Sequence, residues 1–340
     1  MTVQRRSHEK LAKLHDKEYL PLWSERFGRL FLHQLTLPPK AMVLDVGCGS
    51  GYPSLEILRR MDEQSRIIAI DASAPLLDEA RTKAGTLSGK RIFFRTEAQL
   101  PRLSFADDVY DLVVSNALLH EFEQPRAALH DFIRVCKPGG TVVVTTPLEG
   151  TFSEFHDLYR EVLVKLDQGE AIDKLDQYLE RYPTIDKLEQ WAAAAGLVDI
   201  RTEQDTFTLL FKSGREFFYA PVIEYGPLSD WKALVGKGKV MQDVFWELKS
   251  AIDAYFGWSS FAVTVVAGCV IGRKSETPIV VRDAAPARPE AAPTDSEVSV
   301  SVTSPGDDLA IELGTSEIDL IELEREHEGR IDGDDDDPLG

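Results

Sequence analysis

Residues 43–51 read Val43-Leu44-Asp45-Val46-Gly47-Cys48-Gly49-Ser50-Gly51, and their order decides the fold. Val43, Leu44 and Val46 are apolar and mostly β-branched, the composition of a buried strand. Three glycines follow at alternate positions, and Pro53 stands in the first turn of a helix, where its missing N–H costs nothing. Strand, glycine turn and helix start make a cradle, because backbone without Cβ atoms lets a ligand approach closely. Asp45 puts a carboxylate at the strand's end, which favours a ligand carrying cationic or hydroxyl groups.

Outward from this cradle, strand-like and helix-like segments alternate. Residues 41–46, 66–70, 91–95, 110–115 and 141–145 read as strands, the second ending at Asp71. Residues 54–61, 74–84 and 125–136 read as helices, and Lys137-Pro138-Gly139-Gly140 reads as a turn. Such alternation implies an α/β fold with a parallel sheet and helices on both faces, its ligands lying beyond the carboxyl ends of the strands. Residues 8–36 are expected to be helical with a break before Pro21, placing Leu22, Trp23, Phe27, Leu30, Phe31 and Leu35 on one face. After Pro147 the pattern changes. A long charged helical stretch, 152–181, precedes a helix at 184–195 closed by Gly196, a strand at 198–211, helical segments near 216–225 and 242–256, and a strand at 261–271. That last apolar run is too short to span a bilayer.

The chain has 340 residues and a net charge of −19, but the charge is unevenly placed. Residues 275–340 hold 19 acids and 4 bases, leaving 38 acids and 34 bases for the rest. The division is thus N-terminal helices over 1–36, a globular domain over 37–274, and an acidic tail over 275–340 whose composition is that of a disordered segment. Within the tail, 316–328 alternates Ile and Leu with acids; it reads as a solvating stretch or as a transient helix for a protein partner. The near-neutral domain shows no basic stripe, which argues against nucleic acid, although Lys232, Lys237 and Lys239 could form a local patch. Three widely spaced cysteines, Cys48, Cys136 and Cys269, suit a reducing cytoplasm and offer neither a disulfide framework nor a metal site. The N-terminus has no apolar stretch after its charges, so no secretory signal is expected.

A glycine turn after a strand serves dinucleotide enzymes as well as other nucleotide binders. The dinucleotide fingerprint places its third glycine three residues after the second; here Gly51 comes two after Gly49, and Tyr52 stands in the fingerprint position. Asp71 fits either cofactor, since a carboxylate there bonds two ribose hydroxyls. With Ile68-Ala69-Ile70-Asp71, Leu100-Pro101, Tyr110-Asp111-Leu112-Val113-Val114-Ser115-Asn116 before Leu119-His120, and Lys137-Pro138-Gly139-Gly140 in that order, the chain resembles the class I S-adenosylmethionine-dependent methyltransferases. The resemblance is to their small-molecule group, covers 40–147 strongly, and continues more weakly to 274. Residues 182–211 are similar to malonyl-carrier-protein and quinone-pathway methyltransferases.

The resemblance implies a Rossmann-like seven-stranded sheet with a helical lid insertion, 151–182 and 214–256 shaping the acceptor site. It implies S-adenosyl-L-methionine as cofactor. Gly47, Cys48, Gly49 and Gly51 would pass under its methionyl part, with Asp45 near the amino group. Asp71, followed by Ala72, would hold the ribose, and Asn116 would floor the pocket. Where relatives carry an acid for the adenine amino group, this chain has Thr96 and then Glu97 and Ala98, so either Thr96 or Glu97 takes the role. Asn116 could equally be a turn former, and Cys48 a small filler.

A sulfonium methyl is already activated, so the protein's task is to hold the nucleophile in line with the S–CH₃ bond. A general base is needed only if the acceptor must lose a proton. His120, Glu121 and His156 are the candidates, against plainer roles as a packed histidine and two surface residues. Phe217, Phe218, Tyr219 and Tyr225 are core or pocket wall. The expected function is methyl transfer to a small-molecule or carrier-bound acceptor. The alternative is a non-catalytic cofactor binder acting through its acidic tail. Asn116-Ala117-Leu118-Leu119 lacks the Asn/Asp-Pro-Pro-Tyr/Phe expected of enzymes that methylate amide or exocyclic nitrogens.

Overall fold

The computed structural model describes residues 12–97 and 102–277. Among these, strands Met42–Val46 (β1), Arg66–Asp71 (β2), Ile92–Thr96 (β3), Tyr110–Ser115 (β4), Cys136–Pro147 (β5), Leu197–Phe211 (β6) and Phe261–Lys274 (β7) form one sheet, ordered β3-β2-β1-β4-β5-β7-β6. The chain enters at β1, winds outward through β2 and β3, and crosses back to β4. The order therefore reverses between β1 and β4, the switch point where such sheets open a crevice. Register aligns Val46 with Ser115 and Asp71 with Thr96, so the carboxyl ends of four neighbouring strands lie along one edge.

The sheet is mixed rather than parallel throughout. β1 to β5 run parallel, but β7 inserts between β5 and β6 and is antiparallel to both. Successive β1 residues feed opposite layers, as a strand's two-residue period requires. Val43 packs with Ile57, Ile67, Phe27 and Phe31 on one face, while Leu44 and Val46 pack with Leu129, Phe132 and Val113 on the other. Both faces are buried, which is why the strand reads as a nearly unbroken apolar run.

Several local expectations are corrected. The N-terminal break falls at Trp23 (φ −121°, ψ −78°), between Leu20–Leu22 and Ser24–Leu32, and Pro21 sits inside the first of these helices. Leu22 is 42% exposed and leaves the apolar face that Trp23, Phe27 and Phe31 form. Pro53 caps the helix Ser54–Arg60 from outside rather than opening it. Lys137–Gly140 is no separate turn: it is an irregularity within β5, where the register to β4 shifts between Tyr110 and Leu112. Residues 152–181 form two helices, Ser153–Lys165 and Gly169–Leu179, separated where Asp167 takes φ +54°. Helix Leu228–Val235 went unread in the sequence because it is short and follows Pro227 directly.

These later helices pack on aromatic rings. Phe155 lies 4.2 Å from Trp231 and 4.9 Å from Phe217, centroid to centroid, and Trp231 and Phe217 are fully buried. No helix among the described residues is long and apolar enough to cross a membrane. The tail from residue 278, including 316–328, lies outside the described residues, as does Ala98.

Candidate active site

The glycine loop is held from beneath. Gly47 and Cys48 N–H both donate to the Ile70 carbonyl at the end of β2, at 2.9 and 3.0 Å, and Gly51 N–H closes the turn onto the Cys48 carbonyl at 2.8 Å. Gly47, Gly49 and Gly51 all have positive φ, a conformation side chains rarely adopt. A Cβ at Gly49 would meet only the His15 ring, at an ordinary contact distance of 3.8 Å, so His15 lies over the loop there. Cys48 is buried and its thiol pushed up by that burial and by Asp45, which leaves it a filler.

Asp71 orders the loop. Its Oδ2 accepts from Gly49 N–H at 2.8 Å and its Oδ1 from Ser73 N–H at 2.8 Å. Burial pushes its carboxyl up, and those two hydrogen bonds oppose the shift. Asp45 is fully buried; its Oδ2 accepts from Ser54 Oγ at 2.5 Å, while Oδ1 has no partner among the described residues. Burial first and the Asp71 charge second raise its carboxyl to about 7. A buried carboxylate oxygen left unpaired costs free energy that a cationic ligand group would recover.

At the end of β3, Thr96 turns outward and is exposed, whereas Glu97 is buried and its N–H donates to the Asp71 carbonyl at 3.1 Å. Glu97 accepts from Arg95 at 2.8 Å and Ser104 at 2.9 Å. Ala72 follows β2 on the exposed side of that strand end. Asn116, after β4, accepts from Thr145 Oγ1 at 2.9 Å and donates to the Ser24 carbonyl at 3.0 Å. Both ends of its amide are engaged, tying the N-terminal helix to the sheet.

The N-terminal segment covers the loop, which sequence reasoning did not foresee. His15 stacks on Tyr19 at 4.5 Å, and Asp16 accepts from Ser50 Oγ at 2.7 Å and from Lys83. Beside it lies a cavity of about 250 Å³, walled by Tyr19, Tyr178, Tyr182 and Tyr225, with His120 and Glu121 entering from the short turn after β4. Arg181 and Asp230 also reach it, bonded to one another at 2.6 Å, and the Arg181 guanidinium lies 4.2 Å over the Tyr178 ring.

Of the candidate bases, the cavity therefore gathers His120 and Glu121 but not His156. Glu121 opens on the cavity, where water reaches it, yet protein surrounds it; burial, then Asp71 and Asp230, raise its carboxyl to about 7 against the pull of Arg181. His120 stacks on Tyr182, and burial with Arg181 lowers it to about 3, so it is neutral at pH 7. His156 is buried among Phe155, Tyr182 and Trp231, and burial lowers it to about 3 as well. It is an interior residue and neither a surface nor a cavity residue. Phe217 and Phe218 belong to the core, Tyr219 is 40% exposed, and Tyr225 walls the cavity. Tyr178, Arg181, Tyr182 and Asp230 were given no site role from the sequence, although the 151–182 and 214–256 segments supply them all; their only signal was aromatic and charged residues at the ends of helices.

Residues 43–140 match the methyltransferase domain family. The chain is 30% identical over 214 residues to a malonyl-[acyl-carrier protein] O-methyltransferase of Halorhodospira halophila, spanning 62% of this chain and 67% of that protein. It is 28% identical over 186 residues to a demethylmenaquinone methyltransferase of Renibacterium salmoninarum, spanning 52% of this chain and 75% of that one. A malonyl-[acyl-carrier protein] O-methyltransferase of a Paenibacillus strain is 26% identical over 231 residues, 64% of this chain and 79% of its own.

Proposed function

The chain belongs to the class I S-adenosylmethionine-dependent methyltransferases, and on that premise we propose that it methylates a small-molecule or carrier-bound acceptor whose reacting end enters the cavity beside Glu121. The observation that carries the reading is the juxtaposition of a glycine loop tied to Asp71 with an aromatic cavity next to it. The similar proteins act, by name, on a malonyl-carrier protein and on demethylmenaquinone, one carrier-bound and one small.

The site fits the cofactor. The unpaired Oδ1 of Asp45 suits its amino group, the Cβ-free backbone of Gly47, Gly49 and Gly51 at positive φ its methionyl portion, and the strand-end carboxylate of Asp71 its ribose hydroxyls. Glu97, buried beside the Asp71 backbone, takes the adenine role in preference to Thr96, which faces outward. When bound, S-adenosylmethionine supplies an electrophilic methyl group. What remains for the protein is orientation and exclusion of water. Tyr19 and His15 cover the loop, and the Asp16–Ser50 bond holds that cover down. Glu121 is the general base where a proton must leave: it lines the cavity and its carboxyl is raised to about 7, near the value a base needs at neutral pH. His120, held neutral, offers a hydrogen bond and takes a proton far less readily. His156 supports the aromatic layer. The three cysteines are buried and free, as suits a reducing cytoplasm.

The test is direct. S-adenosylhomocysteine should bind the purified protein in calorimetry while NADH does not, and labelled methyl donor should mark a compound in a metabolite or carrier-protein extract. Tight NADH binding without S-adenosylhomocysteine binding would sink the proposal.

A further inference from the structure

The cavity has a chemical character that narrows the acceptor, provided the methyltransferase reading above holds. We infer that this site takes a cationic amine on a small apolar or aromatic body, and that Glu121 both recognises its ammonium group and removes the proton that frees the nitrogen. The geometry points there on three counts.

First, the walls are rings. Tyr19, Tyr178, Tyr182 and Tyr225 surround the space with Trp23 and Phe152, and π-faces attract cations. Second, the Glu121 carboxyl at the cavity wall makes no direct side-chain hydrogen bond or ion pair among the described residues, and Arg181, the cation whose charge reaches it, is bonded to Asp230 instead. The Nδ1 of its neighbour His120 is buried and also without a partner. Third, Arg181, the one cation lining the cavity among the described residues, is spent. Arg181 is paired with Asp230 at 2.6 Å and lies over Tyr178 at 4.2 Å, so an incoming carboxylate would have to compete with Asp230 for it. The charged groups facing Glu121 are Asp71 from β2, Asp230 from the helix Leu228–Val235, and Arg181; the first two raise its carboxyl and only Arg181 opposes them. Tyr19, Tyr182 and the neutral His120 add no positive charge at pH 7. The field is negative, which welcomes a cation and repels an anion.

The proton balance separates an amine from a phenol or an acid. An ammonium nitrogen gives one proton to Glu121 and becomes neutral. Its lone pair forms the N–C bond as the S–C bond breaks with its electrons left on sulfur, and the product leaves as a methylated ammonium ion. A phenol giving its proton to Glu121 would only move the negative charge from the carboxylate to its own oxygen and would bring no positive charge to meet the field of Asp71 and Asp230. At about 250 Å³ the cavity lies just below the roughly 300–1,000 Å³ of typical ligand pockets, which suits a small amine or the end of a longer one.

Calorimetry on the full chain saturated with S-adenosylhomocysteine tests this. Benzylamine, phenethylamine and tryptamine are each titrated at pH 7.5 against the carboxylate and the alcohol of matching length. We expect at least one amine to bind tenfold tighter than both counterparts. Glu121→Gln should weaken that amine at least tenfold while its Tm does not fall and its S-adenosylhomocysteine affinity stays within twofold. A carboxylate or alcohol binding as tightly as its amine overturns the inference, and so does unchanged amine affinity in Glu121→Gln. Failure of all three amines while S-adenosylhomocysteine binds overturns it too, but leaves the methyltransferase reading standing. Failure of S-adenosylhomocysteine itself overturns both.

Discussion

Asp16 and Ser50 lie 34 positions apart and meet at 2.7 Å, the Ser50 hydroxyl donating to the Asp16 carboxylate, which Lys83 also engages. This contact joins the N-terminal segment to the glycine loop and holds the segment over it.

Asp16→Ala should therefore weaken S-adenosylhomocysteine binding through a faster off-rate. The loss of one charged hydrogen bond, about 1–2 kcal/mol, corresponds to roughly a 5- to 30-fold rise in Kd. Stopped-flow displacement would show it; an unchanged off-rate would mean that the segment is not a cover.

Asp71→Ala should cost more, because Asp71 holds both Gly49 N–H and Ser73 N–H, and on the proposed reading it also bonds the ribose. Losing these charged hydrogen bonds is worth roughly 1.5–3 kcal/mol of cofactor affinity. Calorimetry with S-adenosylhomocysteine measures it, and unchanged affinity would remove Asp71 from the site.

Glu121→Gln should stabilise the protein in a pH-dependent way. The Glu121 carboxyl in the fold sits at about 7, above its ordinary value of 4.5. Its contribution to stability is fully present below that ordinary value and is lost as pH rises through about 7. Glutamine cannot ionise, so the Tm difference between variant and parent should grow from pH 4.5 to 7.5 and then level off. A flat difference across that range would place Glu121 in open solvent.

Gly140→Ala tests the irregular stretch of β5. A Cβ there would lie 2.8 Å from Cys136 Sγ, 2.9 Å from the Lys137 carbonyl and 3.1 Å from the Asp111 carbonyl, two of them backbone atoms that cannot swing away. Overpacking of this kind costs about 1–3 kcal/mol. Denaturant melts should show that loss, whereas Gly236→Ala, with nothing within 4 Å and φ +83°, should report backbone strain alone.

The glycine loop, Asp45 and Asp71 were legible in the sequence because each is fixed by local chemistry. A strand must end, a positive φ calls for glycine, and a carboxylate at a strand end stays there whatever packs around it. The helix Ala74–Ala84 and strand Tyr110–Ser115 were legible for a similar reason, since periodicity and a capping serine or a β-branched run mark their bounds. The Thr96 and Glu97 ambiguity was not resolvable there, because a one-residue change at a strand end decides which side chain turns inward.

By itself, then, the sequence determined the glycine loop between β1 and its following helix and the winding of the first five strands, which depend on near neighbours in the chain. Only the tertiary structure decided that β7 inserts antiparallel between β5 and β6, that His156 is an interior residue, and that Tyr19, Glu121, Arg181, Tyr182 and Asp230 share one cavity. These residues come from segments as much as 211 positions apart, between Tyr19 and Asp230. No local spacing encodes such a meeting. It follows from burying the aromatic faces of the later helices against one another and against the N-terminal segment, a requirement of the whole chain's packing and not of any stretch within it.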